Sequence, residues 1–218
     1  KFFIENRFLE GRAIFKNGLM EGTFKVLYPN GKIARIMIYK NGKTEGIQKV
    51  YYESGIIKRE TSHKNGLVDG VSKLYYPNGK VQNETTHRKG VPDGTSKTYY
   101  ENGNLKADLF YKNDMLDGTV IEYLEDGKKT SVSNYKNGKL EGENLSYYKN
   151  GSLYIEANYI NNELDGDIKV YKKNGDLDYI APYKNGKPLT AKKLKASDDM
   201  VDEISQDLRE ILGDDIKI

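Results

Sequence analysis

The stretch DGVSKLYYPNGKVQNETTHRKGVP, residues 69–92, runs directly into DGTSKTYYENGNLKADLFYKNDML, residues 93–116, and the two align without a gap. The same frame extends in both directions. An acid-Gly pair stands at Glu21-Gly22, Glu45-Gly46, Asp69-Gly70, Asp93-Gly94, Asp117-Gly118, Glu141-Gly142 and Asp165-Gly166, always 24 residues apart. With the acid counted as position 1, position 11 is Gly in all seven repeats, and position 19 is Tyr or His (Tyr39, His63, His87, Tyr111, Tyr135, Tyr159, Tyr183). A fixed period of this length marks a stacked-repeat architecture, in which each unit buries its faces against its neighbours.

Within a repeat the pattern reads strand, tight turn, strand, longer turn. PNGK, ESGI, PNGK, ENGN, EDGK, KNGS and KNGD place Asn, Asp or Ser before Gly between segments rich in Tyr and β-branched residues. This is the signal of a two-residue hairpin loop whose central residues both take positive φ. The second turn, KNGK or a relative, is read as the longer one; Asp114 and Asn162 replace its Gly with residue types that tolerate the left-handed region.

A turn centred on positions 10 and 11 sets 8 opposite 13, 5 opposite 16 and 2 opposite 19. One face then pairs Tyr28 with Ile33, Tyr52 with Ile57, Tyr76 with Val81, Tyr100 with Leu105 and Tyr148 with Leu153, and lays the position-19 ring over the position-2 glycine. The other face pairs Lys49 with Glu60, Lys73 with Glu84 and Lys97 with Asp108, and Ile121 with Val132. The expected fold is all-β: an elongated single-layer antiparallel sheet of tandem β-hairpins, on the order of 70 Å long at ~4.8 Å per strand, with a short C-terminal α-helix.

Three segments follow. Residues 1–20 form a degenerate half-repeat, with Phe3 and Ile4 in the paired aromatic places, Leu9 at position 13, Arg7 where Gly is expected and Phe15-Lys16-Asn17-Gly18 as the second turn. Residues 21–188 hold the seven repeats. Residues 189–218 are a linker and an acidic amphipathic helix: Ser197 is a good N-cap, Met200, Ile204, Leu208, Ile211 and Leu212 make an apolar stripe, and Gly213 ends it. Such a helix is marginal alone, and its stripe is expected to pack on the last repeat as a cap, or else to recruit a partner.

The 218 residues are 37% hydrophobic and 31% charged, with 18 Tyr, 6 Phe, no Trp and no Cys. That is a thin supply of core, suited to a wet, one-layer structure; disulfides, thiolate chemistry and Cys-based zinc sites are excluded. Residues 196–218 carry −6, which leaves +9 on the rest of a chain whose net charge is +3. No apolar run approaches the ~20 residues of a membrane-spanning helix. The sequence begins at Lys1, which is compatible with a removed leader, and the compartment stays open.

The unit DGxxKxYYxNGxLxxxxxYKNGxxDG resembles the MORN repeat (membrane occupation and recognition nexus) in its 24-residue bacterial variant form, over residues 21–188. The resemblance implies a β-hairpin array used for protein or lipid contact. Some bacterial members carry an antitoxin label. Others carry a phosphatidylinositol phosphate kinase label because plant kinases have such repeats attached, and that label does not transfer to a chain of repeats alone. Leu124 and Lys172 in the second Tyr place, and His63, His87, Asp114 and Asn162, depart from the pattern.

No nucleotide, metalloprotease or hydrolase motif is present. His63 and His87 occupy one position in adjacent repeats, ~9.5 Å apart, too far to share a zinc whose ligands lie at ~2.1 Å. No catalytic residue, metal or cofactor is assigned. The candidate binding face is the position-7 row Tyr51, Tyr75, Tyr99, Tyr123, Tyr147 and Tyr171 with Lys49, Lys73, Lys97 and Lys169, since Tyr beside cations suits protein interfaces and anionic ligands. The structural alternative is that lysine stems merely pack on the rings. The expected function is a noncatalytic scaffold binding a protein partner, with an anionic membrane surface as a second possibility. A glycan-binding solenoid or an antitoxin-type binder is the alternative, and nucleic acid is disfavoured because phosphate attraction alone is nonspecific.

Overall fold

The computed structural model describes residues 14–189, together with the backbone of the strands Phe2–Ile4 and Arg7–Leu9. The protein is all-β, with no helix among the described residues, and each strand pairs antiparallel with a neighbour in sequence, hairpin after hairpin. The expected C-terminal helix lies outside the described residues. The chain divides into two compact units, Lys1–Asp114 and Met115–Ile218.

Each repeat has two turns, and their types are the reverse of the sequence expectation. In the first repeat Gly31 N–H donates to the Tyr28 carbonyl (2.9 Å) and Tyr28 N–H to the Lys32 carbonyl (2.8 Å), enclosing a three-residue loop, Pro29-Asn30-Gly31. Only the glycine has positive φ (81°); the loop is a type I turn followed by a left-handed glycine. Proline favours this form: its φ near −65° suits the first position of a type I turn, and just before a two-residue loop Pro29 or Pro77 would lack the N–H that closes the flanking pair. The KNGK turn is instead the two-residue hairpin, with Lys40 opposite Lys43 and φ of 51° at Asn41 and 75° at Gly42. Asp114 (68°) and Asn162 (73°) take the left-handed conformation expected of them.

The three-residue loop moves the pairing by one residue, and a bulge at position 14 moves it back. Leu27 faces Ile33, Val26 faces Arg35 after the bulge at Ala34, and Lys25 faces Ile36. The expected pairings 5 with 16 and 2 with 19 therefore hold, as at Lys49 with Glu60 and Gly46 with His63. The expected pairing of 8 with 13 does not. Position 13 stands opposite position 7, as Tyr51 with Ile57 and Tyr99 with Leu105. Position 14 covers the position-8 ring instead: Lys58 Nζ lies 5.5 Å from the Tyr52 ring centroid, Lys106 Nζ 5.6 Å from that of Tyr100, and the Tyr148 and Tyr154 rings are 4.5 Å apart.

The acid-Gly pair that marks each repeat is a second bulge. Its glycine has positive φ, and at Gly94 (132°) an added Cβ would lie 2.9 Å from Thr86 Cβ. Positive φ favours glycine at position 2 in every repeat, and at Gly70 and Gly94 position 18 of the preceding repeat leaves little room for a Cβ as well. The acid's carboxylate accepts the first N–H of the two-residue turn, as Glu21 from Asn41 (2.7 Å), Glu45 from Asn65 (2.9 Å) and Glu141 from Asn161 (3.0 Å). The next N–H of the turn donates to a carbonyl of the preceding repeat, Gly42 to Met20 and Gly186 to Leu164, both at 2.9 Å. Position-8 hydroxyls lock the other end of the repeats: Tyr52 donates to the Tyr75 carbonyl (2.7 Å), Tyr76 to that of Tyr99 and Tyr148 to that of Tyr171 (both 2.8 Å).

In the N-terminal segment the second turn forms at Asn17-Gly18 as expected. Its hairpin departs from the repeat register, with Phe2 rather than Phe3 opposite Leu9 and Ile4 opposite Arg7.

Candidate binding face

The odd positions of the first strand and the even positions of the second point to one side of the sheet, and there the sequence places Tyr at 7 and Lys at 5. Tyr51, Tyr75, Tyr99, Tyr123, Tyr147 and Tyr171 are all half-buried. Tyr51, Tyr75, Tyr99, Tyr147 and Tyr171 stand opposite Ile57, Val81, Leu105, Leu153 and Leu177, and Tyr123 stands opposite Lys129. These aliphatic neighbours belong to the face, although the 8-with-13 register assigned them to the other side. The three-residue loop was legible in Pro29 and Pro77; the compensating bulge had no comparable sequence signal.

The lysines are not free. Lys49 pairs with Glu60 (2.9 Å), Lys73 with Glu84 (3.0 Å) and Lys97 with Asp108 (3.2 Å), as the 5-with-16 register requires. Because Glu60 also lies opposite Lys73, and Glu84 opposite Lys97, the row Lys49, Glu60, Lys73, Glu84, Lys97, Asp108 alternates in sign across six adjacent strands and sums to zero. In the C-terminal unit the same row reads Ile121, Val132, Leu145, Glu156, Lys169, Ile180. Lys169 faces Ile180 within its own repeat and takes its acid, Glu156, from the repeat before, at 2.6 Å.

Tyrosine and lysine meet on one carboxylate. Glu60 accepts the Tyr75 hydroxyl on Oε2 (2.7 Å) and the Lys49 ammonium on Oε1. Glu156 accepts Tyr171 at 3.0 Å and Lys169 in the same way. The Tyr75 hydroxyl, with the Lys49 ammonium beside it, holds Glu60 below the usual carboxylate value against the opposing effect of burial. Burial and the bond to Glu60 push the Tyr75 phenol up to about 12. Lys169 first, then Tyr171, lowers Glu156, while Glu60 raises Lys49. The phenols therefore stay neutral donors and the carboxylates stay charged near neutral pH.

His63 and His87 each donate from Nδ1 to a carbonyl of their own strand, Thr61 (3.0 Å) and Thr85 (3.1 Å), on the opposite side of the sheet. No cluster of His and carboxylates suited to a metal occurs among the described residues.

Compared with known protein families, the chain matches the MORN repeat variant at residues 20–41, 44–65, 68–89, 92–113, 116–137, 140–161 and 164–185. The matched segments keep the 24-residue spacing. No curated protein matches the chain.

Proposed function

The chain belongs to the MORN repeat variant family, a family of repeat scaffolds, and from that premise we propose that it is a noncatalytic scaffold that binds a protein partner along its tyrosine face. The observation that carries this reading is the pairing of half-exposed rings with aliphatic residues, Tyr51 with Ile57, Tyr75 with Val81 and Tyr99 with Leu105, beside charges that neutralise one another. Aromatic residues supply contact area at low entropic cost and are enriched at protein interfaces. A ladder of alternating sign favours a partner of matching charge pattern over a uniformly anionic surface, because each lysine already has its acid.

A crosslinking experiment in lysate of the native organism tests this, comparing the full chain with Tyr75→Ser/Tyr99→Ser and with Lys49→Gln/Lys73→Gln/Lys97→Gln. The tyrosine variant is expected to lose the protein species that the full chain captures, while keeping its β-sheet circular dichroism. If instead the full chain floats with phosphatidylserine vesicles, in a manner abolished by salt and by the lysine variant, the surface is a lipid contact and the protein-partner reading fails.

A further inference from the structure

The face opposite the tyrosine row carries a burial that its own sheet does not explain. In the sixth and seventh repeats Ile155, Tyr159, Leu164, Ile168, Val170 and Ala181 are 0 to 4% exposed, and Tyr159 is at 0%. Every described strand of this unit lies in one antiparallel sheet. Large side chains on a sheet face leave water when a second layer rests on them. The sheet's own curl buries small residues at these positions in the N-terminal unit, Ser96 at 4% and Ala107 at 8%, but large side chains there remain only half-buried: Phe24, Met37, Tyr39, Leu109 and Tyr111.

We propose that residues 190–218 supply that second layer, with Met200, Ile204, Leu208 and Ile211 set on the apolar face of the sixth and seventh repeats. The described chain ends at Leu189, whose N–H donates to the Pro182 carbonyl on the last hairpin. Eight residues lead from there to Ser197, a reach of up to about 28 Å, and the four main strands of the two repeats span about 19 Å. A helix from Ser197 to Leu212 is about 24 Å long, enough to cross them. Its apolar stripe matches an apolar face, whereas the same rows in the second to fourth repeats offer Gln48, Thr61, Ser72, Thr85 and Ser96.

Charge does not drive this docking. Residues 115–189 hold ten lysines against twelve carboxylates, and residues 196–218 carry −6. Charge alone would send the tail to residues 1–114, which carry twenty lysines and arginines against twelve carboxylates. The cover is therefore an apolar contact made against mild repulsion, and salt strengthens it by screening.

The chain has no cysteine, so a nitroxide on Gln206→Cys, on the side of the helix away from the stripe, reports the tail's position in the full chain by paramagnetic broadening. The amide signals of Ala157, Ile168 and Ala181 are expected to broaden, more so in high salt, and those of Thr61 and Thr85 to stay sharp. Broadening at Thr61 and Thr85 instead, or at neither place, overturns the proposal. So does broadening that appears only between a labelled and an unlabelled molecule, which would make a second copy the cover. In parallel, Ile204→Asp/Leu208→Asp is expected to lower the thermal midpoint of the full chain by several degrees and to speed hydrogen exchange in residues 153–171. An unchanged midpoint and exchange pattern count against the cover even if the tail is nearby.

Discussion

Position 4 is Gln48, Ser72 and Ser96 in the second, third and fourth repeats and Ile168 in the seventh; its cross-strand partner at position 17 is Thr61 or Thr85 in the second and third and Ala181 in the seventh. The backbone ladder is the same in both regions, but what fills it is not. In the N-terminal unit the row is held by hydrogen bonds, the Thr85 hydroxyl donating to Asn83 Oδ1 (3.0 Å) and accepting from the Ser96 hydroxyl (2.8 Å), and the Gln48 Nε2 group is buried without a partner. In the C-terminal unit the row is a hydrophobic cluster of Leu140, Ile155, Ala157, Tyr159, Leu164, Ile168, Val170 and Ala181. A net hydrogen bond contributes about 0.5–1.5 kcal/mol, and a fully buried Leu or Ile about 1.5–3 kcal/mol. Turns and bulges thus set the shape of a repeat, while the facing rows set how firmly it is held. In a repeat array that stability is distributed locally rather than pooled.

The largest effect should fall in the weakly filled unit, because it acts on the backbone. Gly94→Val meets both a φ of 132° and a Cβ contact of 2.9 Å with Thr86, and is expected to destabilise by about 3 kcal/mol or more. Urea unfolding followed by hydrogen exchange should place that loss in the N-terminal unit; a variant as stable as the parent would mean that the bulge is not what shapes the repeat. Next comes the direct contrast. Ile168→Ala should cost about 3 kcal/mol through transfer and cavity terms, and Ser96→Ala, at the same position, about 1 kcal/mol through the lost bond to Thr85. Equal costs would abolish the distinction between the two regions.

Two smaller effects should be alike in both units, since they concern features the units share. Tyr52→Phe and Tyr148→Phe each remove the hydroxyl bond to the next repeat's carbonyl, and each should cost about 1 kcal/mol by thermal unfolding. A much larger cost at Tyr148 would show that the apolar cluster leans on that bond. The smallest effect is electrostatic. Glu60 and Glu156 both have carboxyls lowered in the folded state, so the stability they contribute is fully present above the ordinary carboxylate value. It is lost as pH falls through their lower folded values. Partial exposure limits the contribution of the pair Glu60 and Lys49 to about 0.2–1 kcal/mol. Glu60→Gln should therefore lower the urea midpoint slightly at pH 9 and flatten its acid limb below pH ~4.5, so that the two proteins converge in acid; a steeper acid limb in the variant would contradict the assigned direction.

The position-7 row shows how far the face was legible beforehand. Its rings, their lysines and the pairing of Lys49, Lys73 and Lys97 with acids follow from a period of 24 and one cross-strand rule. Position 13 escaped to the wrong side because a loop one residue longer and a bulge of one residue cancel, so that the pairings beyond the bulge look the same with or without them. Lys169 found its acid in the preceding repeat because Ile180 occupies the usual place.

By itself the sequence determined the repeat, its hairpins, the rows at 5 with 16 and 2 with 19, and the left-handed residues at Asp114 and Asn162, since these rest on local backbone chemistry repeated seven times. Only the tertiary structure decided which turn holds two residues and which three, that the marker acid caps a turn N–H, that the lysines are neutralised in place, and that large side chains on the opposite face are buried in one region and half-buried in the other. Those outcomes depend on what lies across the strand or over the sheet, and a one-residue shift or an overlying layer changes them without altering the period.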